Sequence, residues 1–181
     1  MAKVKFGFKN AYYAKMTESG YDTPKKLNGA VSMSLSPSGD TVEFYADDMS
    51  YFGENTNNGY EGTLELALIP EEFKQDILGE VLDDNGVMVE DATAVQSNFA
   101  LLCEFTNDTG NTKFAFVNCF ASRPDLNAAT KSTTKEVQTE TLNITIRPNA
   151  DGKVKYTSTE TTDESVLSSW YTEVYDGTNS L

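Results

Sequence analysis

The feature that most constrains the fold of this chain is the alternation of apolar and polar residues along several segments. Residues 4–9, 30–35 and 142–146 each repeat with a period of two. Because successive side chains of a strand point to opposite faces of a sheet, this period is typical of half-buried β-strands. The sequence therefore predicts a mainly β protein.

Turn signals divide the strand-like segments into two predicted hairpins. The dense turn composition of residues 36–40 lies between two strand-like runs and predicts a hairpin over residues 31–45. The second hairpin joins residues 96–105 to residues 113–122 through a type I turn, with Gly110 in a left-handed conformation.

Two cysteines lie in the second predicted hairpin. Its expected register places Cys103 opposite Ala115 or Phe116, so that Cys119 lies roughly 10 Å further along at the rise of a strand. A disulfide cannot span that separation. We therefore expect both thiols to be free and buried as small apolar groups.

One segment has the composition of a helix. Pro70 suits the first helical position, and two glutamates follow it at the positive end of the helix dipole. Phe73 and Ile77 share one face, and Gly79 suits the C-terminal cap. Two turns are marginal in isolation, so this helix is expected to pack against the sheet.

The remaining segments are predicted to be connections. Residues 46–60 form a long loop, with some strand content near residues 50–52, and loops of this length are usually functional or mobile. A turn at residues 83–86 separates two short strands. Residues 123–140 and 149–165 are polar links.

The last apolar residues of the chain follow a helical spacing. Val166, Trp170 and Val174 are four residues apart, which predicts a short amphipathic helix or an irregular arm. Tryptophan and tyrosine are enriched at interfaces, so Trp170 is expected to anchor this segment either onto its own fold or onto a neighbouring subunit. We predict one domain over residues 1–181, with residues 149–181 as a C-terminal arm or docking segment.

Charge and composition exclude several functions. The net charge of −14 opposes nucleic-acid binding, which requires clustered Lys and Arg. The absence of histidine removes His-based triads, His general bases and His metal ligands. No apolar run is long enough for a membrane helix, and the N-terminus lacks a signal peptide, so the protein is expected to begin in the cytoplasm without contact to a membrane.

The sequence predicts no catalytic, cofactor-binding or metal-binding residue. Neighbouring acids, as at Asp47 and Asp48, are interpreted as solvated charge, and a hydrolase that uses carboxylates alone is a remote alternative. The acidic turn at residues 83–86 lacks the ligand spacing of a calcium loop. Nucleophile elbows, phosphate-binding loops and dinucleotide motifs are absent from the sequence. We therefore expect a protein that is not an enzyme and holds no cofactor.

An ordered set of segments resembles the major tail proteins of siphoviruses and of prophages of Gram-positive bacteria. The set runs along essentially the whole chain. Its members are residues 4–14, 29–35, 44–47, 57–65, 67–73 and 170–175.

This resemblance implies a mainly β fold: a β-sandwich or barrel of the phage tail-tube type, with one short flanking α-helix, extended loops and a C-terminal arm. It implies hexameric rings of the protein itself, stacked into a hollow tail tube. The other implied partners are the tape measure protein, the tail terminator and the distal tail or baseplate proteins. Viral DNA would pass through the lumen without specific binding. The implied location is the virion tail, assembled in the cytoplasm of the host bacterium.

Two segments are the predicted contacts between subunits or rings, namely the loop at 46–60 and the C-terminal segment. Their candidate contact residues are Asp47, Asp48, Tyr51, Phe52, Tyr60, Trp170, Tyr171 and Tyr175. The alternative function is a β-sandwich module at a phage tail tip that binds carbohydrate or a receptor, supported by the aromatic residues in and near the loops.

Overall fold

The computed structural model describes residues 3–130 and 137–177 of the chain. Strands dominate these ranges, and the predicted mainly β fold class is confirmed. The strands are β1 (Lys5–Thr17), β2 (Gly20–Tyr21), β3 (Lys25–Lys26), β4 (Ala30–Ser38), β5 (Thr41–Ala46), β6 (Met49–Asn55), β7 (Gly59–Leu66), β8 (Val81–Leu82), β9 (Met88–Val89), β10 (Phe99–Asn107), β11 (Gly110–Ala121), β12 (Glu140–Ile146) and β13 (Lys155–Thr157).

One antiparallel sheet of nine strands forms the body of the protein. Its main order is β2-β1-β10-β11-β12-β7-β4, with β3 added to β1 and β13 added to β11. The sheet curls until β4 approaches β1, but the described strands do not close into a barrel. Strands β5 and β6 pair only with each other, as do β8 and β9.

The predicted helix is present and packs as expected. It consists of α1 (Glu71–Phe73) and a π-helical turn (Lys74–Leu78), and it ends at Gly79 with a φ of 80°. Phe73 and Ile77 are fully buried in the main core cluster. The Phe73 ring meets the rings of Tyr13 and Phe99 edge to face, at centroid distances of 5.0 and 5.5 Å. This short helix therefore covers one face of the sheet.

The C-terminal segment, defined as residues 163–177, covers the opposite face of the sheet. It contains α2 (Glu164–Ser169) and the turn that follows it. Trp170 and Val174 are buried against a floor of small residues, Ala14, Ala100 and Ala115, which come from three neighbouring strands. The predicted helical spacing is confirmed only for one turn and a half, and residues 178–181 of the predicted arm lie outside the described residues.

The predicted hairpin over residues 31–45 is wrong. Strands β4 and β5 follow each other in nearly the same direction, and β4 pairs with β7, while β5 pairs with β6. The turn composition at residues 36–40 marks an interruption between two consecutive strands. Burial of Met33 and Leu35 against the core favours the long-range pairing with β7 over the local turn.

The register of the second hairpin differs from the prediction by one residue or more. Asn107 pairs with Gly110, so the turn contains only two residues, and Cys103 lies opposite Phe114. A longer turn with a left-handed glycine would have moved this partner to Ala115 or Phe116. The expectation of free thiols is confirmed, since Cys103 and Cys119 are both free and buried. Burial raises the pKa of the Cys103 thiol to about 12.

The polar links are partly confirmed. Residues 122–130 and 137–139 lie outside any helix or strand, as expected for the connection at 123–140, and its residues 131–136 lie outside the described part of the chain. The turn at residues 83–86 separates β8 and β9 as predicted. The link at 149–165 contains the short strand β13, which the sequence analysis missed.

A carboxylate ties the helix to the sheet. The Tyr13 hydroxyl donates a hydrogen bond to Asp76 at 2.8 Å, and the Lys25 ammonium donates another at 2.7 Å. Burial acts to raise the pKa of Asp76, but the hydrogen bonds from Lys25 and Tyr13 outweigh it and hold this pKa below its ordinary value. The pair of hydrogen bonds therefore favours the ionised form.

Asp76→Asn is expected to lower the free energy of unfolding by about 1–2 kcal/mol at pH 7, because the charge-assisted hydrogen bonds are weakened. The folded pKa of Asp76 lies below the unfolded one, so its stabilisation is present above the unfolded pKa and is lost as the pH falls through the folded pKa. The difference in the free energy of unfolding between Asp76→Asn and the wild-type protein should thus shrink below about pH 4. Urea unfolding at pH 7 and pH 3 measures this, with exposed Asp84→Asn as the control. An equal loss at both pH values would contradict it.

Candidate interaction surface

Several exposed apolar side chains are concentrated on a hairpin that projects from the sheet. We call β5 and β6 with their turn, residues Thr41–Asn55, the arm hairpin. Its strands continue the directions of β4 and β7 beyond the body of the sheet. None of its residues belongs to either core cluster. Much of the predicted loop at 46–60 is in fact strand β6, which pairs with β5.

Large apolar side chains of the arm hairpin are exposed on both strands. The exposed fraction of the Tyr51 side chain reaches 73%. Phe44 lies directly opposite Phe52, and Val42 is two residues from Phe44, so these three share one face. The exposed apolar set is Val42, Phe44, Tyr45, Met49, Tyr51 and Phe52. A concentration of exposed apolar side chains on one hairpin is typical of an interaction site.

Asp47 and Asp48 form the tip of the arm hairpin. Ala46 pairs with Met49, so the two aspartates are the whole loop, with φ values of 53° and 59°. Two consecutive positive φ values are typical of a type I′ turn, which matches the right-handed twist of the strands. The tip therefore carries two negative charges at the point furthest from the sheet.

At the base of the arm hairpin, glycines allow backbone segments of neighbouring strands to approach closely. A Cβ atom on Gly39 would lie 2.0 Å from the carbonyl oxygen of Thr56. A Cβ atom on Gly59 would lie 1.9 Å from the carbonyl oxygen of Ile146. The backbone of Thr56 donates a hydrogen bond to the carbonyl of Asp40 at 2.9 Å, which closes the base. These contacts fix the direction in which the arm hairpin leaves the sheet.

A second exposed apolar surface lies at the opposite end of β7. The arm hairpin precedes Gly59, whereas Leu68, the helix and the β8–β9 hairpin follow Leu66. Eight residues of strand separate the two ends by roughly 25 Å. The apolar residues exposed at this end are Leu68, Val81, Leu82, Val87 and Val89. The protein therefore presents different apolar surfaces at the two ends of one strand.

Tyr60 is half buried. It lies near the start of β7, beside the base of the arm hairpin, and packs against the main core. Its ring meets the ring of Phe116 edge to face at 6.2 Å, and the Lys155 ammonium lies 4.9 Å from its centroid. Tyr60 is thus engaged within its own subunit. It connects the arm hairpin to the main core.

The structure anchors the C-terminal segment onto its own subunit. Trp170 is 2% exposed, and its indole N–H donates a hydrogen bond to the carbonyl of Phe114 at 3.4 Å. Tyr175 stacks on Trp170 and is only half buried. Of the two roles predicted for Trp170, the anchor onto the same fold is therefore the one observed.

Tyr171 fixes the same segment through a buried carboxylate. Its hydroxyl donates a hydrogen bond to Glu104 at 2.9 Å, and its ring stacks on Tyr12 at 4.6 Å. Burial and the neighbouring Glu104 raise the pKa of the Tyr171 hydroxyl well above its ordinary value. Glu104 also accepts a hydrogen bond from Asn10 and pairs with Lys9. This network fully occupies a carboxylate that is 3% exposed.

Seven of the eight predicted contact residues thus fall into two separate groups, and Tyr60 lies in β7 beside the base of the arm hairpin. Asp47, Asp48, Tyr51 and Phe52 lie together on the arm hairpin, while the three C-terminal aromatic residues lie on the covered face of the sheet. Sequence reasoning missed Val42, Phe44 and Met49 as members of the first group. The composition of residues 41–45 predicted a strand for Val42 and Phe44, whereas Met49 was assigned to the loop at 46–60. Neither prediction indicates whether anything covers these side chains.

Within the ranges 3–130 and 137–177, no three Cys, Asp or Glu side chains come together in an arrangement suited to a metal ion. No helix in those ranges is long and apolar enough to cross a membrane.

No protein-family model matches this chain, and no curated protein is similar in sequence.

Proposed function

We propose that this protein is a structural subunit that assembles into hexameric rings, which stack into the tail tube of a long-tailed bacteriophage. The proposal combines the ordered sequence resemblance with the arrangement of the exposed surfaces. Its partners would be further copies of itself, the tape measure protein, the tail terminator and the distal tail or baseplate proteins.

The arm hairpin is the observation that carries this proposal. A two-stranded hairpin alone is marginally stable in water, and this one exposes six large apolar side chains. Exposed strands with apolar side chains are an aggregation hazard unless a partner covers them. A chain that assembles with itself provides such a partner.

The positions of the surfaces favour an open-ended assembly. The arm hairpin and the β8–β9 end leave opposite ends of β7 and share no residues. Contacts between two different surfaces of identical subunits are heterologous, and they generate rings or continuing stacks. A tube requires both kinds of contact.

The charge of the protein suits a conduit for DNA. At −14 per subunit, a tube would on balance repel the phosphate backbone of DNA. DNA would therefore pass through the lumen without specific binding.

Negative-stain electron microscopy of the concentrated protein tests this function. We expect hollow tubes or six-fold rings, with longer tubes when the tail-tip complex of the phage is added as a nucleator. Size-exclusion chromatography measures the fraction of protein in large assemblies. Single particles of uniform size under both conditions would contradict the proposal.

A second candidate function rests on a cavity at one end of the sheet, beside the β10–β11 turn. A cleft of about 560 Å³ lies between the β10–β11 turn and residues 158–161, and most of its lining side chains are hydroxyls and amides, including Asn107, Thr112 and Ser158. Such a lining is suited to a carbohydrate at a phage tail tip. Saturable glycan binding by a discrete oligomer would favour this alternative over a tube.

A further inference from the structure

Three asparagines of the chain are followed directly by glycine, namely Asn28, Asn58 and Asn85. An Asn-Gly pair can lose the side-chain amide in water, because glycine has no side chain to hinder attack by its own backbone nitrogen. For this reaction the nitrogen has to give up its hydrogen bond and reach the Cγ atom of the asparagine. The surroundings of each pair in the fold therefore control how fast it reacts.

The pair at Asn58 is fixed in the base of the arm hairpin. The backbone nitrogen of Asn58 donates a hydrogen bond to the carbonyl of Ser38 at 2.9 Å. The nitrogen of Gly59, which is the attacking atom, donates another to the side chain of Asn57 at 3.0 Å. Gly59 is also buried against the carbonyl of Ile146. A reaction here requires the junction of the arm hairpin with β7 to open.

The pair at Asn28 is held from both sides. The backbone of Leu27, a core residue that is 1% exposed, donates a hydrogen bond to the carbonyl of Ala11 at 2.8 Å. The carbonyl of Gly29 accepts one from the backbone of Ala67 at 2.7 Å. A Cβ atom on Gly29 would lie only 2.9 Å from the Cβ atom of Ala67. A reactive conformation at Asn28 therefore disturbs the edge of the main core.

The pair at Asn85 lies in a hairpin outside the core. Strands β8 and β9 have two residues each and pair only with each other among the described strands. None of the residues 80–90 belongs to either core cluster. The hairpin is joined to the rest of the protein by an exposed ion pair of Glu90 with Arg123, and exposed pairs contribute little stability. Local opening of this hairpin therefore costs little free energy.

One aspartate organises the turn that contains Asn85. The carboxylate of Asp83 accepts hydrogen bonds from the backbone nitrogens of Asn85 and Val87, at 2.9 and 2.8 Å. The nitrogen of Gly86 donates to the backbone carbonyl of Asp83 at 3.0 Å. Opening of the turn releases these bonds together and frees the attacking nitrogen. Asn85 and Gly86 are both exposed, so water reaches the reacting atoms.

We propose that Asn85 is a site of spontaneous deamidation, at which the native protein is converted by water to aspartate and isoaspartate. The backbone nitrogen of Gly86 forms a bond to Cγ of Asn85 and gives up its proton, while the bond from Cγ to Nδ2 breaks and ammonia leaves. Water then opens the succinimide ring at either carbonyl. The net reaction consumes one water, releases one ammonia and adds one negative charge. This inference does not depend on the proposed function.

The product weakens the hairpin in which it forms. The amide of Asn85 is a donor toward the carboxylate of Asp83 at 3.5 Å, whereas a new carboxylate at this position is an acceptor of like charge. Isoaspartate also lengthens the backbone of the turn by one methylene, which shifts the pairing of Leu82 with Met88. The reaction therefore alters both the charge and the order of the apolar surface at this end of β7.

Peptide mapping by mass spectrometry compares the three pairs within one sample. The native protein is incubated in a mildly alkaline buffer, and loss of amide is followed at each asparagine. The initial rate at Asn85 should exceed the rates at Asn28 and Asn58 at least about tenfold, because its local opening is the least costly. A parallel sample in concentrated urea removes the fold, and the three rates should then become similar. A protein isoaspartate methyltransferase should label residue 85 of the incubated native protein.

Two variants separate the structure of the turn from its sequence. Asp83→Ala removes the carboxylate that closes the turn and should accelerate the loss of amide at Asn85 severalfold, with Asn28 and Asn58 unchanged. Asp84→Ala, one residue further on, is the matched control and should leave the rate nearly unchanged. Similar native rates at the three pairs, or a preference for Asn85 that persists in urea, would overturn the inference. An unchanged rate in Asp83→Ala would overturn the control of the reaction by this turn.

Discussion

Replacing residues 41–55 with the dipeptide Asn-Gly is expected to abolish assembly and leave a folded monomer. The backbones of Asp40 and Thr56 already face each other through a hydrogen bond of 2.9 Å, so a two-residue type I′ turn can join them. The arm hairpin contributes nothing to either core cluster. The melting temperature should therefore change little, while electron microscopy should show no tubes.

Two control variants make the result of this deletion specific. Phe44→Thr combined with Phe52→Thr keeps both strands and removes apolar surface from one face of the hairpin, and it should also block assembly. Val95→Ser removes an apolar side chain that is 86% exposed elsewhere, and assembly should be unchanged. Normal tubes from the variant without residues 41–55 would refute the role of the arm hairpin.

Trp170→Ala is expected to lower the free energy of unfolding by about 3–5 kcal/mol. The indole fills a buried site on the small-residue floor of the sheet, and Tyr175 stacks on it at a centroid distance of 5.8 Å. Its removal leaves a cavity and exposes the carbonyl of Phe114, which loses its hydrogen bond. Because Trp170 is the one tryptophan of the chain, urea unfolding should be followed by circular dichroism.

Trp170→Phe is the matched variant for this second prediction. It keeps an aromatic ring and loses the N–H donor, so it should cost less than half as much. A loss below about 1 kcal/mol for Trp170→Ala would contradict the anchoring of the C-terminal segment on its own subunit.

Local sequence signals were sufficient for the elements that bury one face. The alternation at Leu142, Ile144 and Ile146 matches β12, in which these three residues are buried. The helix could be placed from Pro70 and Gly79 because termination signals act on the nearest residues. The periodicity of a strand and the chemistry of a helix end are both local properties, which makes them readable without the rest of the fold.

The pairing of the strands could not be predicted in the same way. Residues 36–40 have the composition of a turn, yet β4 pairs with β7 because Met33 and Leu35 thereby reach the core. The choice depends on residues more than twenty positions away in the chain. The prediction of the candidate surface suffered most from this limit. Phe44 is exposed because no strand among the described residues covers it, and its neighbours in the sequence do not indicate this.

The separation of the arm hairpin from both cores has a consequence for how the protein can evolve. Substitutions in a core are limited first by the stability of the subunit, whereas residues 41–55 are free of that limit. Under the proposed function, their sequence would be constrained chiefly by the surface of the neighbouring copy. Changes in the hairpin would therefore accumulate together with compensating changes on that neighbouring surface. Two lineages with equally stable subunits would then become unable to build a mixed tube.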